Sequence, residues 1–498
     1  MNSTSFRYGL WSIAVLLLLS GCGGTALGGQ DGQETKDDRV KITIMANLHT
    51  PVVPSKTVQY LVEEYTGSKL DIKWTPDGSY EEKFNASMAT GALPEAVYLK
   101  NADTLNMLRD PIRNGLFWEI GPLLPEYPNL KRLQTEVLKN TSVDGKIYGL
   151  YQERPLSRQG IIYQKSWAER LNLEAPTTIE ELYNMLYQFT YNDPDGNGKQ
   201  DTIGLTDRSD LVYGAFKTVA AYFGTPNGWG EQDGKLLPEF MFPEYMDTMN
   251  FFKKLHQEGL INQDFPVTAK ADQQELLITG KAGVYIGSMG DVHSLQLKAE
   301  AVNPNAVFDV QNRIAGPKGE RIWASTGFGT IVLFPKTSVQ SEDELRDVLT
   351  FFDKLMDPEM VNLLRWGVED VHYTIENGKA VPSSNLDLTF RDVKPYQGIE
   401  IGGPSTIPGY LESDFQMPAK EKSDDLTRDN DSILVHDPTS SLESNTFNER
   451  SIRLQDFIQD ATYHYILGTI DEAGFQSVVD RWLTEGGKQI IEEFNKAQ

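Results

Sequence analysis

The chain has one cysteine in 498 residues, and it stands at Cys22, directly behind an apolar run. Trp11 to Gly24 reads W-S-I-A-V-L-L-L-L-S-G-C-G-G, with Arg7 upstream. A charged start, a short apolar segment and small residues at its end have the layout of a secretory signal. The run from Ile13 to Leu19 is too short to span a bilayer, which takes roughly 20 apolar residues. An exported chain is free to use disulfides, but here no second cysteine exists to form one. Stability must come from large cores and, where ligands are provided, from metal. About 475 residues follow Cys22, enough for two or three domain-sized cores.

Leu19-Ser20-Gly21-Cys22 resembles the lipobox of bacterial lipoproteins. The resemblance implies removal of residues 1–21, a diacylglycerol thioether on Cys22 and usually an acyl chain on its amine. The alternative is an ordinary signal peptide with an incidental cysteine. Residues 22–39 are Gly-rich, polar and aperiodic, and read as a flexible tether. The body of the protein is then expected outside the cytoplasm, lipid-anchored at the outer face of the cell membrane.

The charge is acidic, 46 Lys and Arg against 71 Asp and Glu, net −25. Nucleic acid is excluded as a partner, because phosphates need a basic footprint. Cations, calcium among them, are attracted. The chain also carries 8 Trp, 21 Tyr and 22 Phe. In an exported acidic protein this composition favours carbohydrate, whose apolar ring faces stack on aromatic side chains.

Val40 to Leu48 begins in alternation and predicts a strand; Thr57 to Thr66 carries Val58, Leu61, Val62 and Tyr65 at helical spacing; Leu70 to Trp74 alternates again. This order predicts a βαβ unit and a parallel sheet. Ala96 to Leu99 is a further strand. Thr177-Thr178-Ile179-Glu180 opens a helix with a capping residue and an acid, and Ile179, Leu182, Met185, Leu186 and Phe189 give it one apolar face. The last hundred residues predict two helices, Ser451 to Leu467 and Asp471 to Phe494, after a charge-dense loop from Lys420 to Asp431.

The first of these helices runs into Asp193-Pro194-Asp195-Gly196-Asn197-Gly198-Lys199-Gln200-Asp201-Thr202. Asp193, Asp195, Asn197 and Asp201 occupy positions 1, 3, 5 and 9 of a calcium loop of the EF-hand type, with Gly198 at the sharp turn and the Lys199 carbonyl at position 7. Position 12 departs from the pattern: it is Gly204 rather than Glu, so another oxygen must serve. Two readings stay open, a structural calcium ion (Ca2+) and an Asx- and Gly-rich turn without metal. Catalytic patterns are mostly missing. No H-E-x-x-H occurs, Ile286-Gly287-Ser288-Met289-Gly290 lacks the first glycine of a nucleophile elbow, and no Gly-rich loop ends in Gly-Lys-Ser/Thr. A carboxylate pair for glycan hydrolysis is not picked out among the 71 acids.

The order of several further pieces is informative. Ile147-Tyr148-Gly149-Leu150 precedes Lys165-Ser166-Trp167, Pro176-Thr177-Thr178, the Asp-rich loop, Phe223-Gly224-Thr225-Pro226-Asn227-Gly228-Trp229, Glu258-Gly259-Leu260-Ile261 and Gly280-Lys281-Ala282-Gly283. With the lipobox, this order resembles the extracellular solute-binding lipoproteins of bacterial ABC importers (family 1 type, the LplA- and YtcQ-like branch) as found in Gram-positive bacteria. The resemblance implies an α/β, two-lobed periplasmic-binding-protein-like fold of type II, with the ligand cleft between the lobes. Residues 40–155 are expected in lobe 1, 156–320 in lobe 2 with the calcium-type loop, 321–365 back in lobe 1, and 366–498 in lobe 2 with the C-terminal helices. It also implies a monomer that is no enzyme, that works with the transmembrane permease subunits and that captures an oligosaccharide, acidic sugars included. A peptide receptor and a surface glycan hydrolase are the rival readings. Candidate ligand contacts follow from residue type. Arg154 and Arg158 beside the expected hinge could pair a uronate or peptide carboxylate, and Trp229, Trp323, Trp366 and Tyr396 could face the cleft. The plain alternatives are surface ion pairs for the arginines and core packing for the rings.

Overall fold

Two large hydrophobic cores divide the body of the protein. The computed structural model describes residues 39–498 apart from positions 51, 101 and 384; the signal segment, Cys22 and the tether up to residue 38 lie outside the described residues. Val40–Gln498 form one compact unit. No helix among the described residues is long and apolar enough to cross a membrane.

The first lobe is built on a five-stranded sheet. Val40–Leu48 runs parallel to Ser68–Pro76 on one side and to Ala96–Leu99 on the other, as the βαβ pattern predicts. The register places Ile44 beside Ile72 and Met45 beside Val97. The helix Thr57–Thr66 returns the chain between the first two strands and ends at Gly67, which takes a left-handed φ of 71°. Phe328–Leu333 then inserts antiparallel between Ala96–Leu99 and Gly149–Glu153. The helix Glu342–Leu355 starts on a Ser341 cap and buries Leu345, Val348, Leu349, Phe352 and Leu355 in this core. Each such side chain contributes about 1.5–3 kcal/mol when fully buried, so a core of this size stands without disulfides.

The second lobe has a four-stranded sheet in the order Phe308–Gln311, Gln159–Gln164, Ala282–Ser288, Ile203–Thr206. The helix Ile179–Tyr191 packs on it, and its start is a reciprocal cap. The Thr178 hydroxyl accepts from the Glu181 amide at 3.1 Å, and the Glu181 carboxylate accepts from the Thr177 amide at 2.8 Å. The C-terminal part comprises Asn445–Ile466, Glu472–Trp482 and Lys488–Ala497. The last two are separate helices, because Gly486 at φ 146° breaks the run the sequence predicts as one.

Three expectations are corrected by the packing. The Lys420–Asp431 segment is largely the helix Pro418–Asp429: Pro418 occupies its first turn, Lys420 pairs with Asp424 one turn on, Ser423 is fully buried and Leu426 packs against the second lobe. Ile322 joins the second core rather than the first, since Ile322–Trp323 pairs with Leu434–Val435. Tyr396, Ile399, Ile401 and Ile407 join the first core rather than the second, with the Tyr98 hydroxyl donating to the Ile399 carbonyl at 2.8 Å. The chain therefore crosses between the cores three times, from Tyr151 to Ile161, from Ile322 to Phe328 and from Ile407 to Ala419. The first two crossings are zipped together. The Arg154 amide donates to the Gly327 carbonyl at 2.9 Å and the Ser325 amide to the Leu156 carbonyl at 2.6 Å. Gly327 sits at φ 80°, where a Cβ would meet Leu156 and Val137 at 2.9 Å, so glycine is required there.

Candidate functional site

Where the two zipped crossings pass between the lobes they border a cavity of about 200 Å³. Arg154, Ser157 and Arg158 come from the first crossing, and Trp323 and Ser325 from the second; Tyr213 of the second lobe completes the lining. Three of the six sequence candidates for ligand contact, Arg154, Arg158 and Trp323, are thus brought together. The side chains of Arg154 and Arg158 make no hydrogen bond or ion pair within the described residues. Their alternative reading as surface ion pairs is not what the structure contains.

Trp323 is held by a bond from its indole N–H to the Thr218 hydroxyl at 3.1 Å. Tyr213 meets it edge-on at 5.9 Å, and the Lys217 ammonium lies 5.5 Å from its ring centre. Tyr213 is 54 % exposed, and its loop is fastened from below. The Tyr213 amide donates to Asp210 at 2.8 Å, and Arg208 donates to the Tyr213 carbonyl while pairing with Asp210 at 3.2 Å. Asp207 beside them accepts from the Ala215 amide at 2.9 Å, and its carboxyl is pushed up to about 7 by burial. Ser157 Oγ and Gln159 Oε1, both buried and both lining the cavity, have no hydrogen-bond partner among the described residues. Rings, free guanidiniums and unsatisfied polar atoms suit a ligand with apolar ring faces, hydroxyls and negative charge.

The other candidate rings lie elsewhere. Trp229 is buried against Phe494 at 4.9 Å, in the strand Trp229–Gln232, and does not line the cavity. Tyr396 is 1 % exposed, meets Trp74 edge-on and donates to the Ser55 carbonyl at 2.7 Å. Trp366 ends the helix Pro358–Trp366, half-buried, with its indole N–H on the Leu411 carbonyl at 3.0 Å. An apolar residue between predicted elements does not reveal which way its ring turns. Tyr213, Ser157 and Gln159 carry no local pattern that would have singled them out.

The Asp193–Asp201 loop lies on the second lobe between Ile179–Tyr191 and Ile203–Thr206. Its oxygens turn inward onto Asn197. The Asn197 amide N–H donates to Asp193 at 3.0 Å, and its side-chain amide donates to Asp195 at 2.7 Å and Asp201 at 3.1 Å. The Lys199 amide donates to Asn197 Oδ1 at 2.8 Å, and Gly198 turns the chain at φ 79°. Lys281 pairs with Asp201 at 2.9 Å and, ahead of Asn197, holds its carboxyl below the usual range. The donors are hard oxygens from five residues, and they fit a calcium ion if the Asn197 amide turns its oxygen inward and water or a second carboxylate oxygen completes the six to eight that the ion takes. Among the described residues no three His, Cys, Asp or Glu side chains already form a metal-holding group.

Comparison with known proteins agrees with this architecture. The family described as "Bacterial extracellular solute-binding protein" matches residues 51–358. The chain is 41 % identical over 500 residues to the polygalacturonan/rhamnogalacturonan-binding protein YtcQ of Bacillus subtilis (strain 168), covering 98 % of each. It is 33 % identical over 491 residues to the lipoprotein LipO of the same organism, covering 96 % of each. Among solved structures, an HMO-binding, ABC-transporter-associated solute-binding protein from Bifidobacterium longum infantis superposes with a TM-score of 0.73 at 16 % identity, over 92 % of this chain and 98 % of that one. The fold is therefore the α/β periplasmic-binding-protein fold, and the chain belongs to the bacterial extracellular solute-binding proteins.

Proposed function

We propose that this solute-binding protein captures an oligosaccharide outside the cell and hands it to the permease of an ABC importer, while lipid on Cys22 keeps it at the membrane. The observation that carries this reading is the cavity between the lobes, lined both by the Trp323–Tyr213 ring pair and by Arg154 and Arg158, which have no ion pair among the described residues. A sugar ring stacks on the first and offers hydroxyl or carboxylate oxygens to the second. The relative named for binding polygalacturonan and rhamnogalacturonan supports the same class of cargo. Closure of the lobes follows from the ligand's higher affinity for the closed form, so the permease reads a change of shape rather than a chemical product.

The Asp193–Asp201 loop would hold a structural calcium ion through Asp193, Asp195, Asn197, Asp201 and the Lys199 carbonyl. The ion supplies positive charge that ties the end of the Ile179–Tyr191 helix to the sheet.

Titration calorimetry with defined oligosaccharides and peptides tests the cargo. The expected result is stoichiometric binding of an oligosaccharide that is recovered unchanged; release of shortened products would replace the receptor by a hydrolase, and binding of peptides alone would replace the cargo.

A further inference from the structure

Arg346 holds Glu126 and Glu342, all on the first lobe, and Arg313 holds Asp429 and Glu320, all on the second. Another cluster joins the two lobes, away from the three crossings. Arg109 and Arg113 are the two ends of the short helix Arg109–Arg113, which sits on the first lobe because Leu108 and Ile112 are buried in its core. Both guanidiniums pair with Glu443, Arg109 with Oε1 and Arg113 with Oε2. Glu443 belongs to the second lobe. Leu442 beside it packs against that core, and Ser444 caps the helix Asn445–Ile466, which buries Leu454 and Ile458 there. Among the described residues no backbone hydrogen bond joins the two segments, so side chains make the join. None of the three residues lines the cavity.

Each side is set before the two meet. Arg113 is aimed by Asp144, whose oxygens accept from its Nε and Nη2 at 3.0 Å. On the other lobe the Ser444 hydroxyl accepts from the Phe447 amide at 3.0 Å and donates to Glu493 at 2.5 Å, so the residue next to Glu443 is pinned to two helices. Partners held in this way lose little freedom on joining. Arg109 is 8 % exposed and the Glu443 side chain 18 %, so water and salt screen this pair less than one on the open surface. The pair is also short in reach. It fades once nitrogen and oxygen are drawn more than about 4 Å apart, which a rotation separating the lobes on this side would do.

We infer that Arg109, Arg113 and Glu443 form a latch between the lobes, which holds the ligand-free receptor toward its closed form and so raises its affinity without touching the ligand. This rests on the receptor reading above and adds what sets the balance between open and closed forms. Apparent affinity is reduced by the fraction of molecules outside the binding-competent form, so a few-fold change in that population is a few-fold change in affinity.

Small-angle scattering of the ligand-free full chain, with calorimetry using tetragalacturonate as the probe, tests the latch. Glu443→Gln is expected to enlarge the ligand-free radius of gyration and to weaken the probe about 3- to 10-fold, while saturating probe restores the compact radius of the parent. Arg113→Gln, at a more exposed site, is expected to do the same to a smaller extent, and to add nothing on top of Glu443→Gln. It keeps the latch open to test should Glu443→Gln fold poorly. Arg346→Gln, whose partners share its lobe, is expected to change neither quantity. Unchanged radius and affinity in both latch variants overturn the latch and leave the receptor reading intact. A variant more compact and tighter-binding than the parent also overturns it, because the pair would then lie behind the hinge and hold the lobes apart. A probe that binds neither parent nor variants counts against the cargo reading, and the scattering then decides on the latch by itself.

Discussion

In the Asp193–Asp201 loop three carboxylates come from nine consecutive residues. Around the buried Glu400, three cations, Arg154, Arg365 and Lys394, meet only because the chain returns once to the first lobe. The loop is exposed, and its acids are satisfied locally by the N–H groups of Asn197 and Gly198 and by Lys281. Glu400 is buried, and the positive charge gathered around it exceeds its own. The first arrangement persists without a ligand at little cost. The second keeps like charges close together, and Glu400 offsets their repulsion only in part.

The largest effect expected from separating these regions is on metal. Calcium at a hundredfold excess over its Kd should stabilise the protein by about 2.7 kcal/mol, EDTA should reverse this, and Asp195→Ala should abolish it. A calorimetric scan unchanged by chelator would leave the loop as a turn.

The next effect concerns Glu400. Burial raises its carboxyl above the usual range, so its contribution to stability is full below the ordinary carboxylate value and is lost as pH rises through the raised one. Glu400→Gln should flatten that decline and raise the neutral-pH melting temperature by a few degrees at most. A steeper decline in the variant would show that Arg365 needs the charge more than burial penalises it.

In calcium-free buffer, Asp201→Asn should give the smallest change and the opposite slope. Lys281 and Asn197 hold Asp201 low, so its contribution is present above the ordinary value and fades as pH falls through the lowered one. Because both partners are exposed, salt should erase it. Urea midpoints at several pH values and two ionic strengths check both slopes.

What the sequence revealed follows the same division. Val40–Leu48, Thr57–Thr66 and Ala96–Leu99 have the boundaries that periodicity predicts, because each is written within one stretch of chain. The Asp-rich loop was legible for the same reason. Arg154 and Arg158 could be placed because they lie between two strands at a crossing. Arg365 and Lys394 could not, since nothing near them in sequence points to Glu400 or Gln152. Tyr396 and Trp229 misled because a ring between predicted elements looks exposed until the core that covers it is known. Lys420–Asp431 read as a loop because its charges hid a helix whose inward face is carried by Ser423 and Leu426.

The three crossings bear on what becomes of this protein under attack. Suppose a protease severs the chain near Leu156. The piece ahead of the cut keeps Ala96–Leu99 and Gly149–Glu153, yet the strand between them, Phe328–Leu333, belongs to the other piece. The first-lobe sheet is finished only when both fragments are present, so the two should stay interleaved. A nick that would shed the distal half of a simple two-bead receptor should here leave a two-chain molecule still complete.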